Sequence, residues 1–250
     1  MMPFWIALQF LTIFPIQLKS LPTPQQNAYS LIFYPVIGGL LGGLLYFLAW
    51  GLLSLHSSTL LISGLVVSIW VGLTGGLHLD GLADTADAWV GGYGDRERTL
   101  TIMKDPQCGP IGVLSLVLVL LLKCVALETL LQTRQLYWLI VLPVLGRFAV
   151  LFLFLTCQYV RQKGLGSGLL EYLPRKILWS ILVVGLASAA MFNDRIAVVV
   201  LIFCCTLFYL RHLFVRCLGG ITGDTIGASI EISECICLVS AAILSSVHFV

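Results

Sequence analysis

The stretch GPIGVLSLVLVLLLKCVALETLL, residues Gly109–Leu131, decides the fold class of this protein. Lys123 and Glu128 are the charged residues in it. A helix needs about 20 mostly apolar residues to cross the hydrocarbon core of a bilayer, and this run is long enough. It also lacks the alternating pattern of an outer-membrane β-barrel strand. The stretch therefore predicts a membrane-spanning α-helix.

Further apolar runs of similar length predict the remaining spans. They cover Leu31–Leu53, Thr59–Leu77, Leu136–Val160, Lys176–Phe192, Arg195–Phe214 and Ile232–Val250. The shorter opening stretch, Phe4–Leu18, is followed by Pro22 and Pro24, which favours an interfacial or re-entrant helix over a span. We expect an all-α polytopic membrane protein with about six to seven transmembrane helices, forming a single integral membrane domain over residues 1–250.

The composition of the whole chain agrees with this class. Hydrophobic residues make up 59% of the sequence and charged residues 10%, and the mean hydropathy is +1.01. Soluble domains carry about 25% charged residues, so a soluble fold, a disordered chain and a disulfide-stapled secreted module are excluded. A net charge of +2 also excludes nucleic-acid binding through a broad basic field. The eight cysteines lack paired C-x-x-C spacing and are predicted to be buried apolar residues.

Basic residues predict the orientation, because loops retained in the cytoplasm keep Lys and Arg. If the chain before Leu31 is cytoplasmic, seven spans place residues 78–108, 161–175 and 211–231 on that same side. That side carries Lys19, Arg96, Arg98, Lys104, Arg161, Lys163, Arg175, Lys176, Arg211 and Arg216, and the opposite side Arg134 and Arg195. The three segments are therefore predicted to be cytoplasmic and to form the active site.

Acidic residues concentrate in two of these segments or at their membrane edge. They are Asp80, Asp84, Asp87, Asp95, Glu97, Asp105, Asp224, Glu231 and Glu234. On a helix, positions 80, 84 and 87 lie within about 60° of one another, where three carboxylates repel unless a cation is present. Oxygen ligands suit Mg²⁺, with Mn²⁺ as an alternative, and substrate phosphates complete the coordination. A solvated acidic face without a metal is the competing interpretation.

Three further features are candidate substrate contacts. His78 precedes the acidic face and is interpreted as a general base, as a phosphate contact or as a structural histidine. Lys104 and Asp105 lie where the chain turns back into the bilayer. Arg147 interrupts an apolar span, where a guanidinium must face protein or water and can clamp an anion.

A second polar site is predicted near the last span. Glycines at 219, 220, 223 and 227 allow the backbone to approach a ligand closely, and Asp224 and Glu231, seven residues apart, return to one helical face. The same glycine spacing also fits a helix-packing seam, and that alternative remains open.

Two strings together resemble the cobalamin synthase family, the adenosylcobinamide-GDP ribazoletransferases of the inner membrane. They are GGLHLDGLADTAD at Gly75–Asp87, and GGITGDTIGA at Gly219–Ala228 with Glu231. Shorter matches are Met103–Asp105, Gly146–Arg147, Tyr159–Arg161 and Gly164–Gly166. The chain departs from the family pattern at Ala88–Trp89, at Pro106 and Pro110, and at Lys163.

The resemblance implies a reaction of adenosylcobinamide-GDP with α-ribazole, or its 5′-phosphate, that gives adenosylcobalamin, or its 5′-phosphate, and GMP. In that reaction a metal held by Asp80, Asp84 and Asp87 would bridge the diphosphate. Asp84 or Asp87 would accept the hydroxyl proton, with His78 as a further catalytic candidate. Lys104, Arg147 and Arg161 would balance the remaining charge.

Two other functions compete with this reaction. A secondary transporter with a carboxylate relay would carry its acids at mid-span, whereas here they gather at one membrane face. A phospholipid-type alcohol phosphotransferase has an Asp-Gly-x-x-Ala-Arg run, but here Asp84 follows Ala83. The expected partners are the two substrates and the lipid bilayer, without nucleic acid. The oligomeric state is left open between a monomer and a homo-oligomer.

Overall fold

The structure is a computed structural model that describes residues 1–18, 20–161 and 168–246. Within these ranges the chain forms eleven α-helices and no β-strand, which confirms the all-α class. The helices are α1 (Met2–Leu11), α2 (Pro24–Ser30), α3 (Tyr34–Ser54), α4 (Thr59–Leu73), α5 (Leu77–Gly91), α6 (Arg96–Ile102), α7 (Pro110–Gln132), α8 (Trp138–Thr156), α9 (Arg175–Ala190), α10 (Asp194–Leu218) and α11 (Gly223–Ser246). Lys19, Lys163 and Gly164–Gly166 lie outside the described residues.

Five helical segments are long and apolar enough to span a membrane. They are Pro24–Ser54, which combines α2 and α3 with the turn between them, and helices α7, α8, α10 and α11. Helices α4 and α5 pass the same test together, although they meet at 89°, and counting that pair brings the number to six. The predicted span Lys176–Phe192 corresponds to α9, which has 16 residues and is shorter than the ~20 expected of a span. The short apolar helix at the start is α1.

Helix α8 lies at the centre of the bundle and packs closely against α3. Both meet at glycines: a Cβ on Gly42 would lie 2.5 Å from the carbonyl oxygen of Leu139, and one on Gly38 2.6 Å from that of Pro143. Small residues at such positions let two helix backbones approach each other in a membrane. Helix α11 packs on the same central helix and on α5, α7 and α10.

Side-chain hydrogen bonds show which helix ends lie together. At one end, Arg175 donates to the carbonyl of Leu155 at 2.6 Å, and Arg211 donates to that of Thr156 at 3.2 Å. At the opposite end, Ser245 donates to the side chain of Gln135 at 2.9 Å. The end of α8, the start of α9 and the end of α10 therefore meet, and we call this the site end because the acid-rich segments lie there.

The start of α11 differs from the prediction. The last span was expected to begin at Ile232, with a loop before it, but the helix begins at Gly223. Thr222 and Thr225 explain the early start: the backbone N–H of Thr225 donates to the hydroxyl of Thr222 at 3.2 Å, and that of Thr222 donates to the hydroxyl of Thr225 at 2.8 Å. This reciprocal cap satisfies backbone donors at the helix start.

Candidate functional site

A cavity of about 330 Å³ opens at the site end of the bundle. Apolar side chains from α1, α8 and α11 form one part of its wall, among them Phe10, Phe154 and Ile230. The polar lining residues come from α2, α3, α5, α11 and the segment after α8, and they are Asn27, Ser30, Tyr34, His78, Asp80, Tyr159, Arg161 and Asp224. The cavity therefore joins an apolar wall to a charged rim.

Four carboxylates form the acidic group of the site: Asp80, Asp84 and Asp87 on α5, and Asp224 on α11. The two helices meet at Gly81, where an added Cβ would lie 2.8 Å from the carbonyl oxygen of Asp224. This backbone contact brings Asp224 to the acidic face predicted on α5. Helix α5 is not one of the five long apolar helices. Partial burial of Asp84 is the main cause that raises the pKa of its carboxyl to about 6, and the negative charges of Asp80 and Asp224 add to the rise.

Asp87 also contacts the start of a neighbouring helix. One oxygen of its carboxylate accepts the N–H of Gly109 at 2.6 Å, and the other accepts the N–H of Gly112 at 2.8 Å. Gly109 is the residue immediately before α7 and Gly112 lies in its first turn, where backbone N–H groups have no partner within the helix. Asp87 therefore caps α7 from a neighbouring helix, where the negative charge also suits the positive end of the helix dipole.

Arg161 forms the positive side of the cavity rim. Its Nη2 lies 2.6 Å from a carboxylate oxygen of Asp224 and donates to the carbonyl of Met103 at 3.1 Å. The segment before Arg161 is bound to the residues that precede α11, because the backbone N–H of Val160 donates to the carbonyl of Ile221 at 2.9 Å. The Nε of Arg161 is buried and has no hydrogen-bond partner in the described part of the chain.

The glycines before α11 shape a turn between two helices. Gly219 has φ +76° and ends α10, a conformation in which a Cβ is unfavourable. The guanidinium of Arg96 donates to the neighbouring carbonyl of Leu218 at 2.8 Å. Gly220 lies against the carbonyl of Gln158. Gly223 lines the cavity, so of these three predicted contacts it is the one at the cavity wall.

The remaining predicted residues near the site lie in different surroundings. His78 is 4% exposed and lines the cavity from the first turn of α5. Lys104 and Asp105 are exposed after α6 and do not belong to the cavity lining. The carboxylate of Asp105 accepts the backbone N–H of Gln107 at 3.0 Å, which closes a local turn.

Arg147 and Glu231 lie deeper in the bundle than the cavity. The Nη1 of Arg147 is 2.9 Å from Glu234, and Lys123 lies 2.7 Å from Glu231 and 2.9 Å from Glu234. We call these four residues the buried ion network, since none of the residues is more than 5% exposed. Its two acids and two bases balance in charge, and neither Arg147 nor Glu231 lines the cavity.

Sequence reasoning did not identify Lys123 and Glu234 as partners. Lys123 also lies 4.7 Å from the centre of the Trp70 ring, a cation–π contact. A signal was present, because ionisable side chains inside a membrane bundle pair with one another. Two bases and two acids at membrane depth were therefore candidates for one network. Tyr34, which lines the cavity, carried no signal in the sequence, whereas Tyr159 stood out there through the family match at Tyr159–Arg161.

Comparisons with known proteins place this chain in a family. The family model described as cobalamin-5-phosphate synthase matches residues 3–242. The chain belongs to the cobalamin-5-phosphate synthase family. A relative from Acinetobacter baumannii (strain ACICU), named adenosylcobinamide-GDP ribazoletransferase, is 52% identical over 94% of each chain. A relative of the same name from Pseudomonas fluorescens (strain Pf0-1) is 52% identical over 97% of this chain and 100% of its own. No solved structure matches.

For this cobalamin-5-phosphate synthase family member, the acidic group provides ligands suited to a hard cation. Within the described ranges, no three His, Cys, Asp or Glu side chains are arranged so that they could hold a metal ion together. Mg²⁺ is usually held by one or two carboxylates, its remaining positions being taken by water and substrate phosphates. Asp80 and Asp84, one helical turn apart, fit that incomplete type of site, whereas both oxygens of Asp87 already accept backbone N–H groups.

Proposed function

We propose that this chain transfers the adenosylcobinamide-phosphate group from adenosylcobinamide-GDP to α-ribazole or α-ribazole 5′-phosphate, the late step of cobalamin biosynthesis. The observation that carries the proposal is family membership over residues 3–242, with relatives of this name at 52% identity across nearly the whole chain. The site agrees with it, because a cavity and an acidic group lie together at one end of the bundle. The secondary transporter receives no support from these relatives.

In the proposed reaction one phosphorus–oxygen bond forms and one breaks. The 3′-hydroxyl oxygen of the ribazole ribose attacks the phosphorus nearer the corrinoid, and the bond from that phosphorus to the oxygen bridging to GMP breaks. GMP leaves with the bridging oxygen. The hydroxyl proton passes to a nearby carboxylate, and we propose Asp84, which lies one helical turn from Asp80 of the cavity lining, as this general base.

The protein's part is to position the two substrates and to balance charge. Arg161 lies at the cavity rim beside Asp224 and is suited to face a phosphate oxygen. We propose that Asp80 and Asp84 hold Mg²⁺, or Mn²⁺ in its place, which when bound would neutralise the diphosphate oxygens. Asp87 would then orient α7 and complete the negative surroundings.

A GMP-release assay tests the reaction. The full chain, purified in nanodiscs, is given adenosylcobinamide-GDP and α-ribazole 5′-phosphate with Mg²⁺ or with EDTA. We expect GMP and adenosylcobalamin 5′-phosphate with Mg²⁺ and a loss of product with EDTA. Absence of product under both conditions would refute the proposed function. Equal amounts of product under both conditions would refute the proposed requirement for a metal ion.

Asp84→Asn is the matched variant for the site. It preserves the size of the side chain and removes its charge, so turnover should fall at least a hundredfold while thermal stability stays near that of the wild type. Glu97→Gln is the control, because Glu97 is an exposed acid at the same end, outside the cavity lining. Equal losses in both variants would contradict a specific role of Asp84.

The proposed location is the inner membrane, with the site end in the cytoplasm. The basic residues support it, since Arg96, Arg161, Arg175 and Arg211 lie at the site end and Arg134 at the other. Alkaline phosphatase fused after Thr133 should be active, whereas a fusion after Lys104 should be inactive. The reason is that alkaline phosphatase matures only outside the cytoplasm. The reverse pattern would overturn the orientation.

A further inference from the structure

The cavity differs chemically from the acidic group that borders it. Its inner wall is built from aliphatic and aromatic side chains of three helices, including Ile6, Phe10, Phe154 and Ile226. The diphosphate chemistry described above needs charged groups and does not explain this wall. We propose that the cavity is the binding site of α-ribazole, with the benzimidazole ring on the apolar wall and the ribose at the acidic group. The inference rests on the proposed function.

Size is the first argument. A volume of about 330 Å³ lies at the small end of ligand pockets, which range over ~300–1,000 Å³. A nucleoside of one sugar and one bicyclic base fits such a space. A corrinoid macrocycle with its side chains and nucleotide is several times larger, so adenosylcobinamide-GDP has to approach from outside the cavity. Asp80, which is exposed at the rim, faces that approach.

The chemistry of the wall is the second argument. The dimethylbenzimidazole base of α-ribazole carries two methyl groups and no N–H or exocyclic amine, so it needs apolar contacts more than hydrogen bonds. Phe154 and Tyr159 offer parallel rings, with 6.4 Å between their centres and 6° between their planes. Aromatic ligands pack favourably on such faces. A wall of this kind suits the base and not the phosphates.

The position of the charged rim is the third argument. Asp80, Asp224 and Arg161 line the same cavity as the apolar wall. A nucleoside whose base lies on the wall therefore brings its ribose to the carboxylates, where the 3′-hydroxyl has to lose a proton. The buried Nε of Arg161, which lacks a partner in the described ranges, is a donor for an oxygen of the sugar or of the 5′-phosphate.

Helix α1 covers the apolar wall. Ile6, Phe10 and Leu11 line the cavity from this helix, whereas Trp5 on the same helix is 43% exposed. The covering helix therefore excludes water from the base on one face and offers aromatic surface to the surroundings on another. A lipid acyl chain is the competing occupant of such a cavity, and the test has to distinguish it.

Phe154→Leu tests the base site, because it keeps an apolar side chain and removes the ring. We expect the KM for α-ribazole to rise about tenfold, with the KM for adenosylcobinamide-GDP changed by less than about twofold. Phe152→Leu is the matched control: it lies on the same helix, its ring packs against Phe208 at 5.2 Å, and it is absent from the cavity lining. This control should change neither KM.

Direct binding gives a second readout that does not depend on turnover. Binding of α-ribazole to the purified full chain is followed by benzimidazole fluorescence without the corrinoid. Val150→Phe, which fills the cavity from α8, should weaken binding at least tenfold while the corrinoid substrate still binds. Thermal unfolding of each variant identifies any that fails to fold. If Phe154→Leu or Val150→Phe does not fold, the other variant still tests the binding site.

The outcomes separate the inference from the function on which it rests. If the wild type releases GMP but Phe154→Leu raises the KM of the corrinoid substrate instead, the inference is wrong and the function stands. If the variants change only the phospholipid that co-purifies, the cavity is a lipid site and the inference is again wrong. If the wild type releases no GMP, the proposed function itself fails.

Discussion

The buried ion network and the acidic group are two charged regions that follow opposite rules. In the network, Glu231 and Glu234 lie within 2.9 Å of a base, and acids and bases are equal in number. In the acidic group, four carboxylates lie together, and the ion pair that the described residues provide there is Asp224 with Arg161 at 2.6 Å. Charges that are balanced inside the fold hold helices together. Charges that are left unbalanced are open to water or to a partner from outside, such as the cation that we propose.

Burial separates the two regions as well. Arg147 is 0% exposed, and the low dielectric around it makes an unpaired charge costly. Asp80 is exposed at the cavity rim, where water and ligands reach it. The depth of a charge and its pairing together distinguish a structural site from a candidate catalytic one.

The largest effect is expected from breaking the network. Glu234→Leu removes the ion-pair partner of Arg147 and one partner of Lys123, and both charges stay buried. We expect the free energy of unfolding to fall by about 3–5 kcal/mol, measured by denaturant titration in detergent. Glu128→Leu is the control, because Glu128 is partly exposed and hydrogen-bonds to Gln132 at 3.2 Å; its effect should stay below about 1 kcal/mol. Similar losses in both variants would contradict a special role of the network.

A substitution of Arg161 tests the acidic group in the same way. Arg161→Lys keeps the charge but removes the planar guanidinium, whose Nη2 contacts both Asp224 and the carbonyl of Met103 and whose Nε is a further donor without a partner in the described residues. We expect kcat/KM for GMP release to fall about tenfold to a hundredfold, while the unfolding temperature stays near that of the wild type. Arg175→Lys, also at the site end but outside the cavity lining, should keep its activity. A loss of stability without a loss of turnover would assign Arg161 to structure.

The contact between α5 and α11 is the next test. An alanine at Gly81 would bring its Cβ within 2.8 Å of the carbonyl oxygen of Asp224, so the two helices have to move apart. Gly81→Ala should lower the free energy of unfolding by about 1–3 kcal/mol and reduce turnover with it. At Gly72 no atom lies within 4 Å of the added Cβ, and Gly72→Ala should be neutral or slightly stabilising. Equal behaviour of the two variants would mean that the contact is loose.

The smallest effect is expected at Asp87. Asp87→Asn leaves one acceptor oxygen for two backbone donors at the start of α7 and removes the charge that suits the helix dipole. The unfolding free energy should fall by about 1 kcal/mol, whereas Asp84→Asn should not lower it. Loss of turnover at full stability would instead support the metal-ligand role predicted for Asp87.

Much of the fold was accessible from local sequence. The apolar run at Gly109–Leu131 matches α7 within a residue or two, because a bilayer sets the length of a spanning helix. The shared face of Asp80, Asp84 and Asp87 follows from helix periodicity. The start of α11 was missed by nine residues, between Ile232 and Gly223, because the glycines suggested a loop and the mutual cap of Thr222 and Thr225 was not recognised.

The candidate site was less accessible. Asp224 joins the acidic face on α5 only because α11 crosses that helix at Gly81. Likewise, Lys123 and Glu234 become partners because α7 and α11 pack against each other. These residues are far apart along the chain, and helix periodicity carries no information about which faces of distant helices meet.

The sequence by itself determined that the protein is a bundle of membrane helices with acids gathered on the α5 face, since composition, run length and periodicity are local properties. Its motifs also determined the family resemblance. The tertiary structure decided which charges are balanced and which remain open, and it closed a cavity beside the acidic group. The physical reason is that ion pairing and enclosure depend on contacts between helices, whose close approach is set by small residues such as Gly81 and by side-chain packing across the bundle.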